Sequence, residues 1–224
     1  MGYLKGFENI ALAAGYTLQL PSKEVIESFQ IEVFNLIYEA YKIIKTPDKI
    51  SEKPDETQIS TSIFVALKML CTNNSWVNCE HHEFTDDIID GRKKSISAKR
   101  FDIYFGNWST PTRIEYGVEA KLLIENDFAG KKSKFLIEEY VGIKGMNKYI
   151  SGIYKERGCM LGYIVEGNIG EIVEKINTQV ENVFDGNQKL LKENSPIFKH
   201  NEIYKSIHQQ KLKYPIFHLM LDFR

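Results

Sequence analysis

Three residues in "RFDIYFGNWSTPTRIEYGVEAKLL" have the types and spacing for chemistry on a phosphate. They are Asp102, Glu119 and Lys121, with 16 residues between the first two and a single residue between the last two. A hard divalent cation such as Mg²⁺ or Mn²⁺ takes oxygen ligands and keeps several waters, so one or two carboxylates suffice to hold it. Asp102, Glu119 and the backbone carbonyl of Ala120 would form that set. The cation would polarise a phosphate oxygen and lower the pKa of a bound water. Lys121 would position that water or offset the developing negative charge. Two close carboxylates repel each other, and a neighbouring cation relieves the repulsion.

The elements that must bring these groups together are two strands and a turn. Gly106, Asn107, Ser109 and Pro111 mark the turn. Strict alternation puts Phe101, Ile103 and Phe105 on one face of the first strand, with Asp102 and Tyr104 on the other. On the second strand Ile114, Tyr116, Val118, Ala120 and Leu122 share a face, opposite Arg113, Glu115, Gly117, Glu119 and Lys121. Apolar neighbours on both sides of the acids predict a central strand. A fourth acid, Glu56, stands three, seven and eleven positions before Ile59, Ile63 and Leu67. It therefore lies in line with the buried stripe of a helix over 55–70, capped by Asp55 with Gln58.

Elsewhere, Ser22 caps a helix over 22–45 whose apolar residues recur at helical spacing. The segment 78–88 reads as a strand with a polar end. Adjacent His81 and His82 would point to opposite sides of it, which argues against a zinc site there. The segment 143–157 reads as a helix, 158–167 as a buried apolar strand, 168–184 as a helix capped by Asn168, and 213–223 as a closing strand. This order predicts an α/β protein in which a mixed central sheet is flanked by helices. One domain spanning 1–224 is expected. It has an N-terminal helical extension over 1–50, a core over 55–167, and a C-terminal helix and strand over 168–224.

Composition narrows the classes. A chain of 224 residues, 43% hydrophobic and 26% charged, can bury a core of its own. No apolar run approaches the length of a membrane span, and the first residues lack the basic and long apolar regions of a signal peptide. Three cysteines, Cys71, Cys79 and Cys159, fit a reducing cytoplasm better than a disulfide framework. The net charge of -1 does not advertise a polyanion partner. Basic residues do cluster at 91–94, at Lys99 and Arg100, and at 131–134, as a phosphate-binding rim would.

A helix carrying Glu56, a strand, a strand with Asp102, a strand with Glu119-Ala120-Lys121, a helix and a strand resemble the αβββαβ core of the PD-(D/E)xK nuclease superfamily. Restriction endonucleases, RecB-like nucleases and many phage-defence effectors share that core. The resemblance covers roughly 55–167 and departs from the family pattern in having Phe101, where a proline often precedes the acid. It implies that Asp102 and Glu119 are metal-binding acids, that Lys121 is the catalytic lysine, and that Glu56 is the acid many members carry on the first core helix. It also implies a metal-dependent phosphodiesterase acting on double-stranded DNA, with a role in restriction or phage defence. Lys99, Arg100, Arg113, Lys144 and Lys148 would contact the nucleic acid. Cleavage of both strands requires two sites, hence a homodimer, with the helix over 22–45 as a candidate interface. The competing expectation is a catalytically inactive protein of this fold that binds nucleic acid or assembles with a partner.

Overall fold

A computed structural model describes residues 22–45, 55–71, 75–83, 99–107, 114–154, 157–184, 188–195, 197–208, 212 and 214–224. Two helices come first, α1 (Lys23–Ile44) and α2 (Glu56–Leu70). Three strands follow: β1 (Ser75–Glu83), β2 (Lys99–Asn107) and β3 (Ile114–Ile124). Next are α3 (Ser133–Val141), the single turn α4 (Asn147–Ile150), β4 (Gly158–Glu166) and α5 (Ile169–Val183). Three further strands, β5 (Leu191–Lys192), β6 (Ile203–Ser206) and β7 (Ile216–Asp222), complete the order.

The seven strands form one mixed sheet in the order β1-β2-β3-β4-β7-β6-β5. β1, β2 and β3 run antiparallel, as do β5, β6 and β7, while β3, β4 and β7 are parallel neighbours at the centre. Parallel neighbours need crossover connections and are buried on both faces. β3 and β4 meet this expectation, being buried along nearly their whole length. Helices cover both faces. On one, Phe34 and Ile37 of α1 and Ile59 and Ile63 of α2 pack with Phe105, Tyr116, Val118 and Leu161. On the other, Tyr140, Met146, Ile172 and Ile176 pack with Leu123, Met160 and Met220.

The mixed α/β layering matches the sequence reading, with local corrections. The helix expected over 143–157 shrinks to the turn α4. Glycine punctuates that segment at 145 and 152, and Gly152 adopts φ +72°, which breaks a helix. The helix in this region is α3 instead, which begins inside the basic cluster at 131–134. β1 starts at Ser75, earlier than expected, and 84–90 lie outside the described residues. The short strands β5 and β6 were not anticipated. α1 is no appendage, because its buried stripe lies in the core and its Tyr41 hydroxyl donates to the Asp222 carbonyl at 2.7 Å. Its apolar face is therefore used within the chain rather than offered to a second copy. Among the described residues no helix is long and apolar enough to cross a membrane.

Candidate functional site

The site forms where β2 and β3 part. Their paired register runs from Asn107↔Ile114 to Ile103↔Val118 and stops there. In a strand, alternate amides point to the same edge, so Ala120 and Leu122 each present an N–H toward the gap. Side-chain carboxylates take the place of the missing strand partner. Ala120 N donates to Asp102 Oδ2 at 2.7 Å, and Leu122 N donates to Glu56 Oε2 at 3.2 Å. Glu56 is the first residue of α2, whose N-cap Asp55 accepts from Gln58 N at 2.7 Å. The helix N-terminus favours an acid at that position, and α2 aims it at the gap between β2 and β3.

Lys121 lies at the centre of this cluster. Its Nζ is 2.9 Å from Glu119 Oε1, 3.2 Å from Glu56 Oε1 and 3.8 Å from Asp102 Oδ2, and it donates to the Ala120 carbonyl at 2.5 Å. Two residues of the hairpin's charged face are withdrawn from water, Glu119 at 2% exposed and Lys121 at 8%, while the Asp102 side chain stays 20% exposed. Burial opposes the lysine's charge. Glu119, Asp102 and Glu56 outweigh it and hold the ammonium above the ordinary lysine range. With the three acids around it Lys121 is held as a cation, suited to offsetting negative charge. Asp102 shows the opposite imbalance. Burial first, then repulsion from Glu119, pushes its carboxyl up to about 6 against the pull of Lys121 and the Ala120 amide.

Glu119 has further partners that the sequence did not reveal. Lys148 of α4 donates to Oε1 at 2.7 Å, and the Tyr154 hydroxyl donates to Oε2 at 2.7 Å. Lys148 and Tyr154 are themselves 3.0 Å apart. The Phe101 ring stacks on Tyr154 at 3.9 Å between centroids. Phe101 therefore lies with Tyr104 on the face opposite Ile103 and Phe105, against the alternation expected of it. Gly117 makes room for that ring, since a Cβ there would fall 2.1 Å from Phe101 Cε1. The β2–β3 ladder ends at the same point, at Ile103. Tyr149 and Tyr154 are both buried, as expected of packing aromatics.

The basic residues expected at a nucleic-acid surface divide into three groups. Lys148 turns inward onto Glu119 rather than outward. Lys144 is exposed and paired with Glu139 at 2.5 Å. Arg113 and the side chains of Lys99 and Arg100 lie outside the described residues.

The donor set fits a hard divalent cation. Asp102, Glu119 and the Ala120 carbonyl surround the Lys121 ammonium, at 3.8, 2.9 and 2.5 Å from its Nζ, and offer the oxygen donors such a cation takes. No group of three or more His, Cys, Asp or Glu side chains that could hold a metal ion is present among the described residues. Two side-chain carboxylates and a carbonyl remain the candidate ligands. No family model, no curated protein and no solved structure matches the chain.

Proposed function

We propose that the protein is a metal-dependent nuclease of the PD-(D/E)xK type, hydrolysing phosphodiester bonds of double-stranded DNA in the cytoplasm as an endonuclease of restriction or phage defence. One observation carries this reading. Glu56, Asp102, Glu119 and Lys121 come from three separate elements and meet around a single buried ammonium. The succession α2-β1-β2-β3-(α3, α4)-β4 supports a restriction-endonuclease-like core, with α1 and the α5–β7 segment added to it.

In this reading Asp102, Glu119 and the Ala120 carbonyl would hold Mg²⁺ or Mn²⁺, which when bound supplies Lewis acidity and an activated water. Lys121 stabilises the charge that grows on the phosphoryl oxygens, as a fixed cation in a water-poor site does best. Glu56 fixes Lys121 through Oε1 and the strand through the Leu122 amide. A homodimer would supply the second active site for cutting both strands.

A second reading has its own observation. Both oxygens of Glu119 are already bonded, to two lysines and a tyrosine. A catalytically inactive protein of this fold, serving as a nucleic-acid-binding or assembly module, would look the same. Cleavage of supercoiled plasmid and linear duplex with Mg²⁺ and Mn²⁺, beside Asp102→Ala, separates the two. Metal-dependent cutting lost in the variant supports the nuclease. Absence of cutting together with absence of metal binding by calorimetry overturns it.

A further inference from the structure

Glu119 is the most enclosed acid of the cluster, and one of its oxygens carries two ammonium groups: Lys121 at 2.9 Å and Lys148 at 2.7 Å from Oε1. The two lysines differ in how they are held. Lys121 is also gripped by Glu56, Asp102 and the Ala120 carbonyl, with its side chain 10% exposed. Lys148 has only the Tyr154 hydroxyl as another partner for its ammonium among the described residues, and its side chain is 23% exposed. It sits on the single turn α4, so a four-carbon stem can swing its head to solvent without disturbing a strand. A third positive charge cannot join Glu119 while both ammonium groups stay, because like charges at such distances repel strongly in a partly desolvated site.

We propose that Lys148 is a displaceable counter-cation. It neutralises Glu119 while the site lacks a divalent ion, competes with that ion for Oε1, and withdraws to the mouth of the β2–β3 gap when the ion binds. Lys148 is thus a positioning residue that sets metal affinity, and once withdrawn it presents its charge to a phosphate of the substrate strand. The inference rests on reading Asp102 and Glu119 as cation ligands. Under a merely structural role, removing Lys148 would weaken the fold and the metal site together. Under displacement, the two effects have opposite signs.

The test is Mn²⁺ titration by calorimetry on the full chain, alongside the thermal midpoint without metal, for the unaltered protein, Lys148→Met and Lys148→Arg. Lys148→Met binds Mn²⁺ about tenfold tighter or more, since a charge-assisted hydrogen bond no longer has to be broken. Its metal-free midpoint is lower, and saturating Mn²⁺ raises that midpoint further than in the unaltered protein. Lys148→Arg keeps the charge and stays within about threefold of the original affinity. Should Lys148→Met fail to fold, Lys148→Gln keeps a donor without the charge and carries the same expectation. Equal or weaker binding by the neutral variants, with the original protein binding normally, overturns the proposal and leaves the nuclease reading intact. Absence of Mn²⁺ binding in every form, the original included, overturns both.

Discussion

Two buried polar clusters share this sheet, and they settle their electrostatics in opposite ways. One, between β2 and β3, packs Glu56, Asp102, Glu119, Lys121 and Lys148 together with Tyr154. The other, at β6 and β7, links five side chains end to end. Tyr140 Oη lies 2.9 Å from His218 Nδ1, His218 Nε2 is 2.9 Å from Ser206 Oγ, Ser206 Oγ is 2.9 Å from His208 Nε2, and His208 Nδ1 is 2.6 Å from Gln188 Oε1. With the Gln188 amide oxygen accepting and both imidazoles neutral, only one direction of donation is consistent. His208 donates from Nδ1 and accepts at Nε2 from the Ser206 hydroxyl. Ser206 accepts from His218 Nε2–H, and His218 accepts at Nδ1 from Tyr140. Each of these donors meets one acceptor, and no charge is needed. Such a chain serves the fold, because buried polar groups that are fully matched rigidify a core. The first cluster is matched in hydrogen bonds but not in charge, and its Asp102 is held uncomfortably ionised. That residual conflict is what a ligand can relieve, and it separates a candidate site from a structural network.

The sharpest way to break the comparison is Asp102→Asn, which keeps shape while removing the charge. On the proposed nuclease reading, metal-dependent cleavage falls about a hundredfold or more. Metal-free stability at pH 8, read from urea unfolding, stays level or rises by up to about 3 kcal/mol, because a carboxyl raised to about 6 opposes folding when ionised. The sign follows from linkage. The native carboxyl binds its proton more tightly than the unfolded one, so its penalty is full above its native value and vanishes as pH falls to about 4. Loss of stability at pH 8 would contradict the charge conflict.

Ser206→Ala tests the other cluster. It leaves His218 Nε2–H without its acceptor and His208 Nε2 without its donor, costing about 2–4 kcal/mol. Urea unfolding measures the loss, and on the proposed nuclease reading cleavage per folded molecule is unchanged.

Acid sharpens the contrast further. Burial, then the neighbouring His208, depresses His218 to about 3. A histidine lowered in the native state contributes stability that is full above its unfolded value near 6.5 and is lost progressively as pH falls toward 3. Stability is therefore expected to drop by about 1–2 kcal/mol between pH 7 and pH 5 from this residue. His218→Gln removes that part of the slope in unfolding curves at the two pH values.

The smallest effect marks the exposed end of the scale. Lys144→Ala breaks the surface pair with Glu139 and costs less than about 0.5 kcal/mol. A larger loss in the unfolding midpoint would mean that surface charge matters more here than the buried clusters suggest.

What the sequence made legible follows from how local each signal is. α1, α2 and α5 carry side-chain caps at Ser22, Asp55 and Asn168 and clear apolar stripes, and all three are found within a few residues of their expected limits. α3 lacks a cap at its own N-cap residue, Lys132. Ser133 N donates instead to Asp127 Oδ1 at 3.0 Å, a partner six residues back in a loop and outside any standard cap spacing. β5 and β6 are too short for alternation to register. Asp102, Glu119 and Lys121 were visible because residue type and strand order point to them. The contacts of Lys148 and Tyr154 with Glu119 were not, because only the turns after α3 bring them over it. The histidine chain left one faint trace, a histidine set between Phe217 and Leu219 in an apolar strand.

The gap between β2 and β3 also makes the site its own reporter. The Ala120 and Leu122 amides are the two backbone donors bonded to Asp102 and Glu56 rather than to a neighbouring strand. Their proton chemical shifts and exchange rates follow the ionisation and occupancy of those carboxylates directly, without an attached label. Nitrogen-15 spectra recorded through a metal or nucleotide titration would move at these two positions first. In such spectra a backbone strand would act as the indicator of its own side-chain chemistry.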